Sequence, residues 1–165
     1  MFIFLEVMST IPKFQTKDVT ISPVALLEEI MVMEHLCFNF PWSEDDYIEM
    51  RKQSSFKNWL LKTRGGFSVG FLVFQCIPDE LQILRLGIHP QWRNRGYAHF
   101  LMAQLEIFAC LDNIKEVYLE VHESNKSAIT LYVNLKYKKF GRRRKYFQSP
   151  VGDAILFKKI LNPIA

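Results

Sequence analysis

The chain predicts a mixed, partly parallel α/β sheet with helices on both faces. Three observations carry that reading. Apolar residues alternate with period two in some segments and recur at steps of three and four in others. The two kinds of segment interleave, with strands before, between and after helices. The 165 residues, 49% of them hydrophobic, are the size of one domain able to bury a real core, and no linker or repeat divides them.

Taken in order, Val19 to Ser22 reads as a short strand, and Pro23 is placed to open a helix running to about Cys37. Phe40-Pro41-Trp42-Ser43 breaks that helix. Ser43, followed by Glu44, Asp45 and Asp46, reads as an N-cap with acids in the first turn of a second helix through about Lys52. Gly65-Gly66 and Pro78-Asp79 bracket a β-rich run from Phe67 to Ile77, and Glu80 to Ile88 is its antiparallel partner. Ala98, Leu101, Met102, Leu105, Phe108 and Ala109 form the apolar stripe of a helix packed on a sheet, so Met102 and Phe108 are core. Glu116 to Val121 alternates, with Val117, Leu119 and Val121 on one face and Tyr118, Glu120 and His122 on the other. Ser124-Asn125 turns into a helix through about Leu135. Phe140 to Phe147 and Ala154 to Lys159 close the chain as strands joined by Ser149 to Asp153.

The segment Arg85 to Ala98 carries the most chemistry. A strand passes through a basic, glycine-bearing turn into a helix whose first amides have no intrahelical acceptor. Gly96 lets the backbone approach a ligand closely, and Arg93 and Arg95 add charge at the same mouth. The turn is built to hold a phosphate-bearing group, although basic loops before helices are common and most are merely solvated.

Composition excludes several classes. A net charge of +4 and a pI near 9.0 favour acidic ligands, and a phosphate-bearing cofactor suffices to explain them. Cys37, Cys76 and Cys110 are widely spaced and odd in number, which suits a reducing cytoplasm and no disulfide framework. The four histidines show no ligand spacing, so no metal is expected. The apolar run Met1 to Met8 lacks a basic n-region and a cleavage site, and is too short to span a membrane. Residues 1–17 read as a frayed extension, with Met8 as an alternative start. No nucleic-acid-binding motif is present, and Arg142-Arg143-Arg144-Lys145 reads as a solvated strand face.

Glu120 and Tyr132 form the candidate reactive pair. Glu120 lies opposite the apolar set of its strand, while Asn125, Ala128 and Tyr132 share a helix stripe if Asn125 is the cap, and both groups are expected to face one cleft. Each also has a plain reading: a carboxylate paired with a lysine or arginine, an ordinary cap, a half-buried aromatic.

The pattern Arg93-x-x-Gly96-x-Ala98 resembles motif A of the GNAT acetyltransferases, which implies the fold of that family: a mostly antiparallel sheet with a splayed parallel pair at its centre. The resemblance implies that Leu86, Gly87 and Ile88 lend backbone groups to the pantetheine of acetyl-CoA, and that Arg93, Asn94, Arg95, Gly96, Tyr97 and Ala98 cradle its pyrophosphate. Leu119 to Tyr132 (LEVHESNKSAITLY), Phe40-Pro41-Trp42-Ser43-Glu44 and Arg143 to Phe147 narrow the likeness to the bacterial ribosomal-protein-alanine N-acetyltransferases, the RimI family, over about residues 18 to 160. That likeness implies Glu120 as general base, Tyr132 as general acid and Asn125 as a coenzyme A contact. Phe40, Pro41, Trp42 and Tyr146 would then flank a protein N-terminus, the alanine of a small-subunit ribosomal protein. Two other readings stay open: acetyl transfer to a lysine side chain or small amine, and a non-catalytic acyl-CoA-binding module. The chain departs from the family at Lys136, where a glycine C-cap is usual, and at Lys145 and Phe147.

Overall fold

The computed structural model describes residues 19–24 and 26–162; the N-terminal extension and the alternative start at Met8 lie outside them. Seven strands form one sheet: Val19–Pro23 (β1), Phe56–Thr63 (β2), Ser68–Ile77 (β3), Glu80–Ile88 (β4), Glu116–His122 (β5), Lys138–Gln148 (β6) and Val151–Ile160 (β7). Their order is β1-β2-β3-β4-β5-β7-β6, and β4 with β5 is the one parallel pair. The helices are Leu27–Cys37 (α1), Glu44–Arg51 (α2), Tyr97–Leu111 (α3) and Lys126–Asn134 (α4), and none is long and apolar enough to cross a membrane.

Period-two alternation in the central strands buries apolar side chains on both faces of the sheet. On one face, Phe71 and Val73 of β3 pack with Leu60, with Ile30 and Met33 of α1 and with Tyr47 of α2. On the other, Leu72 and Phe74 meet Met102 and Leu105 of α3, Val117, Leu119 and Val121 of β5 and Tyr132 of α4. Trp59, Phe74 and Phe108 make an edge-on aromatic triad with centroids 4.9 to 5.6 Å apart, which absorbs part of the aromatic content.

Three local readings change. Pro23 does not open a helix: it ends β1 opposite Trp59, and α1 begins at Leu27. Proline has no N–H to give a ladder, and β1 is an edge strand, where that loss is tolerated. The stretch Phe56–Thr63, to which the sequence assigned no element, is β2, with Trp59 and Leu61 packed on one face and Leu60 on the other, so its apolar residues do not alternate. The last hairpin turns at Ser149-Pro150, so β6 and β7 run longer than expected.

The feature that shapes the centre of the sheet is a bulge. Val73 pairs with Arg85 and the next residue, Phe74, pairs with Ile83, so Leu84 is an extra residue in β4. A bulge bends and twists its strand. The β4–β5 ladder ends here, at Ile83 opposite Leu119, although both strands continue.

Beyond the bulge, Gly87 permits a close approach. A Cβ at this position would stand 2.3 Å from a ring carbon of Phe71, which is fully buried, and 3.1 Å from Cys37 Cβ. Gly87→Ala is therefore expected to destabilise the fold by about 1–3 kcal/mol through overpacking. Urea unfolding checks this, and an unchanged midpoint would contradict the packing described.

Candidate active site

Past Ile83 and Leu119 the two central strands diverge, and from Leu84 to Ile88 β4 is paired only with β3. Alternate residues of the stretch Leu86 to Ile88 thus present backbone groups on the β5 side that no strand satisfies, although Ile88 O accepts from Arg93. The gap leads to the turn before α3. Gly96 is the N-cap of that helix at φ 83°, a left-handed conformation that favours glycine, and no side chain caps the helix. Asn94 is also left-handed, at φ 60°. An uncapped helix start at the end of an unpaired strand edge is suited to an anion.

The side chains of this turn are arranged differently from the expectation. The exposed Arg93 guanidinium is held by backbone: it donates to Ile88 O at 3.1 Å and Cys37 O at 3.2 Å, tying the end of β4 to the end of α1. Arg95 stands over the Trp92 ring at 5.2 Å, and Tyr97 is buried beside Phe100 and Leu101. What this loop offers a ligand is chiefly backbone.

A cavity of about 650 Å³ lies at the divergence, bounded by Ile83, Leu84 and Arg85 from β4 and Leu119 and Glu120 from β5. Trp42 walls one side, and Phe140, Arg143, Tyr146 and Phe147 the other. Glu120 is partly exposed and makes an ion pair of 2.9 Å with Arg143. Between Arg143 opposite Ala154 and Phe147 opposite Gly152, β6 carries two extra residues. Asp153 pins that irregularity by accepting from Lys145 N at 2.8 Å and pairing with Arg142 at 2.5 Å. Tyr146 emerges from it beside Glu120, whose carboxylate pushes the phenol pKa up, and Arg143 lies 5.3 Å from its ring centroid. Arg142 and Arg143 are thus paired with carboxylates and do not form a free basic surface.

Tyr132 is not in this cavity. Asn125 caps α4, accepting from Ala128 N at 3.1 Å, and the helix ends with Lys136 left-handed at φ 67° and Tyr137 N bonded to Tyr132 O. The Tyr132 ring therefore looks toward β5, but packs with Val117, Leu119, Val121 and Phe157 on the face opposite Glu120. Burial pushes its pKa well up, so the phenol holds its proton. The two groups stand on opposite faces of β5, and the gap between the strands is what can bring a reactant to both.

The loop between α1 and α2 has an anchor that the sequence did not reveal. Glu34 of α1 is fully buried, accepting from Tyr47 Oη at 2.7 Å and Trp42 N at 3.3 Å. Arg85 Nε lies 3.2 Å from Glu34 Oε1, an ion pair whose N–H is not aligned as a hydrogen bond. Arg85 also donates to Phe40 O at 3.0 Å and sits 4.3 and 4.6 Å from the Phe38 and Trp42 ring centroids. The sequence signal was a single charge inside the apolar strand Ile83-Leu84-Arg85-Leu86. Among the described residues no cluster of His, Cys, Asp or Glu could hold a metal ion.

The model of the acetyltransferase (GNAT) family matches residues 27–137. The chain belongs to the GNAT family. It is an N-acetyltransferase. Within that family it is similar to the ribosomal protein bS18-alanine N-acetyltransferase of Escherichia coli strain K12, 28% identical over 151 residues that span 90% of this chain and 95% of the relative. The crystal structure of the Escherichia coli ribosomal-protein-S18-alanine N-acetyltransferase superposes with a TM-score of 0.80 at 25% identity, covering 89% of this chain and 96% of that one. Arabidopsis thaliana NAA60 in complex with acetyl-CoA shares the fold, with a TM-score of 0.76 at 18% identity over 87% of this GNAT chain and 99% of its own.

Cys37, where α1 meets the Arg93 tether, gives a pH-dependent check on this geometry. Burial pushes its thiol up to about 11 from an ordinary 9.0. The thiolate is the reactive form, and it is scarce at any pH below the pKa. At pH 8 its fraction falls from about one in ten to about one in a thousand, so iodoacetamide should label Cys37 about 100-fold more slowly than glutathione. Peptide mass spectrometry reads this, and labelling at the glutathione rate would mean that the surroundings of half-buried Cys37 do not raise its pKa.

Proposed function

We propose that this N-acetyltransferase transfers acetyl from acetyl-CoA to the α-amine at a protein N-terminus, and that its substrate is the N-terminal alanine of a small-subunit ribosomal protein. The observation that carries the reading is the placement of Glu120, Trp42 and Tyr146 around one cavity at the point where β4 and β5 part. The likeness to the bS18-alanine N-acetyltransferase over 90% of the chain supports the choice of substrate.

The residues around the gap fit the coenzyme. The unpaired β4 edge at Leu86, Gly87 and Ile88 can accept an extended amide-bearing arm as a strand would accept a neighbour. The turn Arg93, Asn94, Arg95, Gly96, Tyr97 and Ala98 would hold phosphate oxygens by backbone amides at the helix start. Asn125 spends its carbonyl oxygen on the α4 cap, so its NH2 is the group able to donate to coenzyme A. Bound there, acetyl-CoA supplies an activated acetyl thioester.

The chain's own residues handle protons and position. Glu120 takes a proton from the incoming ammonium, directly or through water, leaving the amine a free lone pair. Tyr132, on the far side of the gap and kept protonated by burial, gives a proton to the departing thiolate. Trp42 and Tyr146 flank the first residues of the peptide, while Phe40 and Pro41, in the same loop, lie outside the cavity lining. Glu80 and Glu120 balance Arg85 and Arg143 in the lining, which suits a substrate with one cation better than a polycationic amine.

Acetyl transfer to short peptides with free or blocked N-termini tests the reading. A free N-terminal alanine should be acetylated, and a blocked peptide carrying lysine should not. Glu120→Gln should lower kcat/KM by about 10²–10⁴-fold and Tyr132→Phe by about 10²-fold, the range of general acid–base contributions. Equal rates on blocked lysine peptides would move the assignment to side-chain amines, and full activity in both variants would end the proposed mechanism.

A further inference from the structure

We infer that Arg85 is a positioning residue for the peptide substrate: fixed by buried Glu34, it clamps the Phe38–Trp42 segment and so sets the wall of the cavity that faces Glu120. This deepens the reading of the cavity as the amine site and rests on it. The segment between α1 and α2 has no helix or strand of its own, so its position must come from tertiary contacts.

One guanidinium supplies three of them. Its faces meet the Phe38 and Trp42 rings at 4.3 and 4.6 Å, and its edge binds Phe40 O and Glu34. A planar fork can stack and bond in this way at once, whereas the compact ammonium of lysine cannot. Glu34 in turn holds Trp42 N and Tyr47 Oη, so the pair joins α1, α2, β4 and the loop. Burial makes the clamp firm, because Glu34 is fully buried and the Arg85 side chain is 15% exposed. Arg85, Trp42 and Glu120 all line the same cavity, whereas the β4 edge at Leu86–Ile88 and the turn before α3 lie outside its lining. Loosening the clamp therefore acts on the peptide and spares the coenzyme.

The single variant Arg85→Gln strands a buried carboxylate and lowers stability for that reason alone. The decisive variant is Glu34→Gln with Arg85→Gln, which removes the buried charge together with the clamp. Its Tm should return toward that of the wild type. Its peptide KM should stay raised by about tenfold or more, with kcat within about threefold and the KM for acetyl-CoA unchanged, because uniform binding of the peptide is what the wall provides. Arg85→Lys should not restore the peptide KM. Hydrogen exchange of residues 38–42 should quicken in the double variant, a readout that needs no substrate. A peptide KM at the wild-type value in the folded double variant, or a matching rise in the KM for acetyl-CoA, would overturn the inference. Exchange that does not quicken would overturn the clamp itself. Should the wild-type enzyme acetylate no peptide N-terminus while exchange quickens in the variant, the clamp stands and the substrate reading falls.

Discussion

The parting of β4 from β5 is the constraint on which the rest of this molecule depends. A parallel pair at the centre of a sheet would ordinarily zip along its whole length, since every unpaired buried amide or carbonyl is costly. Here Leu84 is inserted opposite β3, and the strand that follows twists away from β5 after four paired residues on each side. The cost of the open edge is accepted in the middle of the fold. The α3 and β3 contacts behind it, with Leu72, Phe74, Met102 and Leu105 buried, keep the gap from collapsing. A wedge-shaped opening with backbone polar groups along one side follows from a single extra residue.

The same insertion explains the two-sided arrangement of candidate reactive groups. Alternation along β5 sends Glu120 to the α1 and α2 face and Leu119 and Val121 to the α3 and α4 face, where Tyr132 packs against them. In an unbroken sheet the carboxylate and the phenol would be sealed from one another. The gap lets a reactant that passes between the strands meet an acceptor of protons on one side and a donor on the other. Burial keeps the Tyr132 phenol protonated, while Glu120 has access to solvent and so to incoming amines.

Much of this was legible in the sequence, for physical reasons that differ by element. Glu80 to Ile88, Glu116 to Val121 and the stripe on α3 have periodicities that only one packing satisfies, and Ser43 and Asn125 are caps whose chemistry is local. β2 escaped because Trp59 and Leu61 pack on one face and Leu60 on the other, which erases alternation, and Pro23 misled because its preference for a first helical turn also suits an edge-strand end. Arg93 lay in the expected turn, but the sequence could not say that its guanidinium folds back onto Ile88 and Cys37. Glu34 and Arg85 were invisible for the deepest reason. Their pairing joins a helix to a distant strand, and nothing local distinguishes Glu34 from exposed Glu28 or half-buried Glu29 until the fold buries it.

Two arginine–glutamate pairs border the same cavity, and burial gives them opposite parts. Arg143 and Glu120 are 54% and 29% exposed at 2.9 Å, so water can replace either partner and the pair is worth little, about 0–1 kcal/mol. Arg85 and Glu34 are 15% and 0% exposed at 3.2 Å, and separating them would leave a carboxylate in the core. The first pair can therefore exchange its guanidinium for a substrate ammonium at low cost, because one cation replaces another beside Glu120. The second cannot exchange and serves as scaffold. The proposed amine site would need both behaviours within one cavity: a carboxylate that is occupied but readily released, and a wall that stays in place while the release happens.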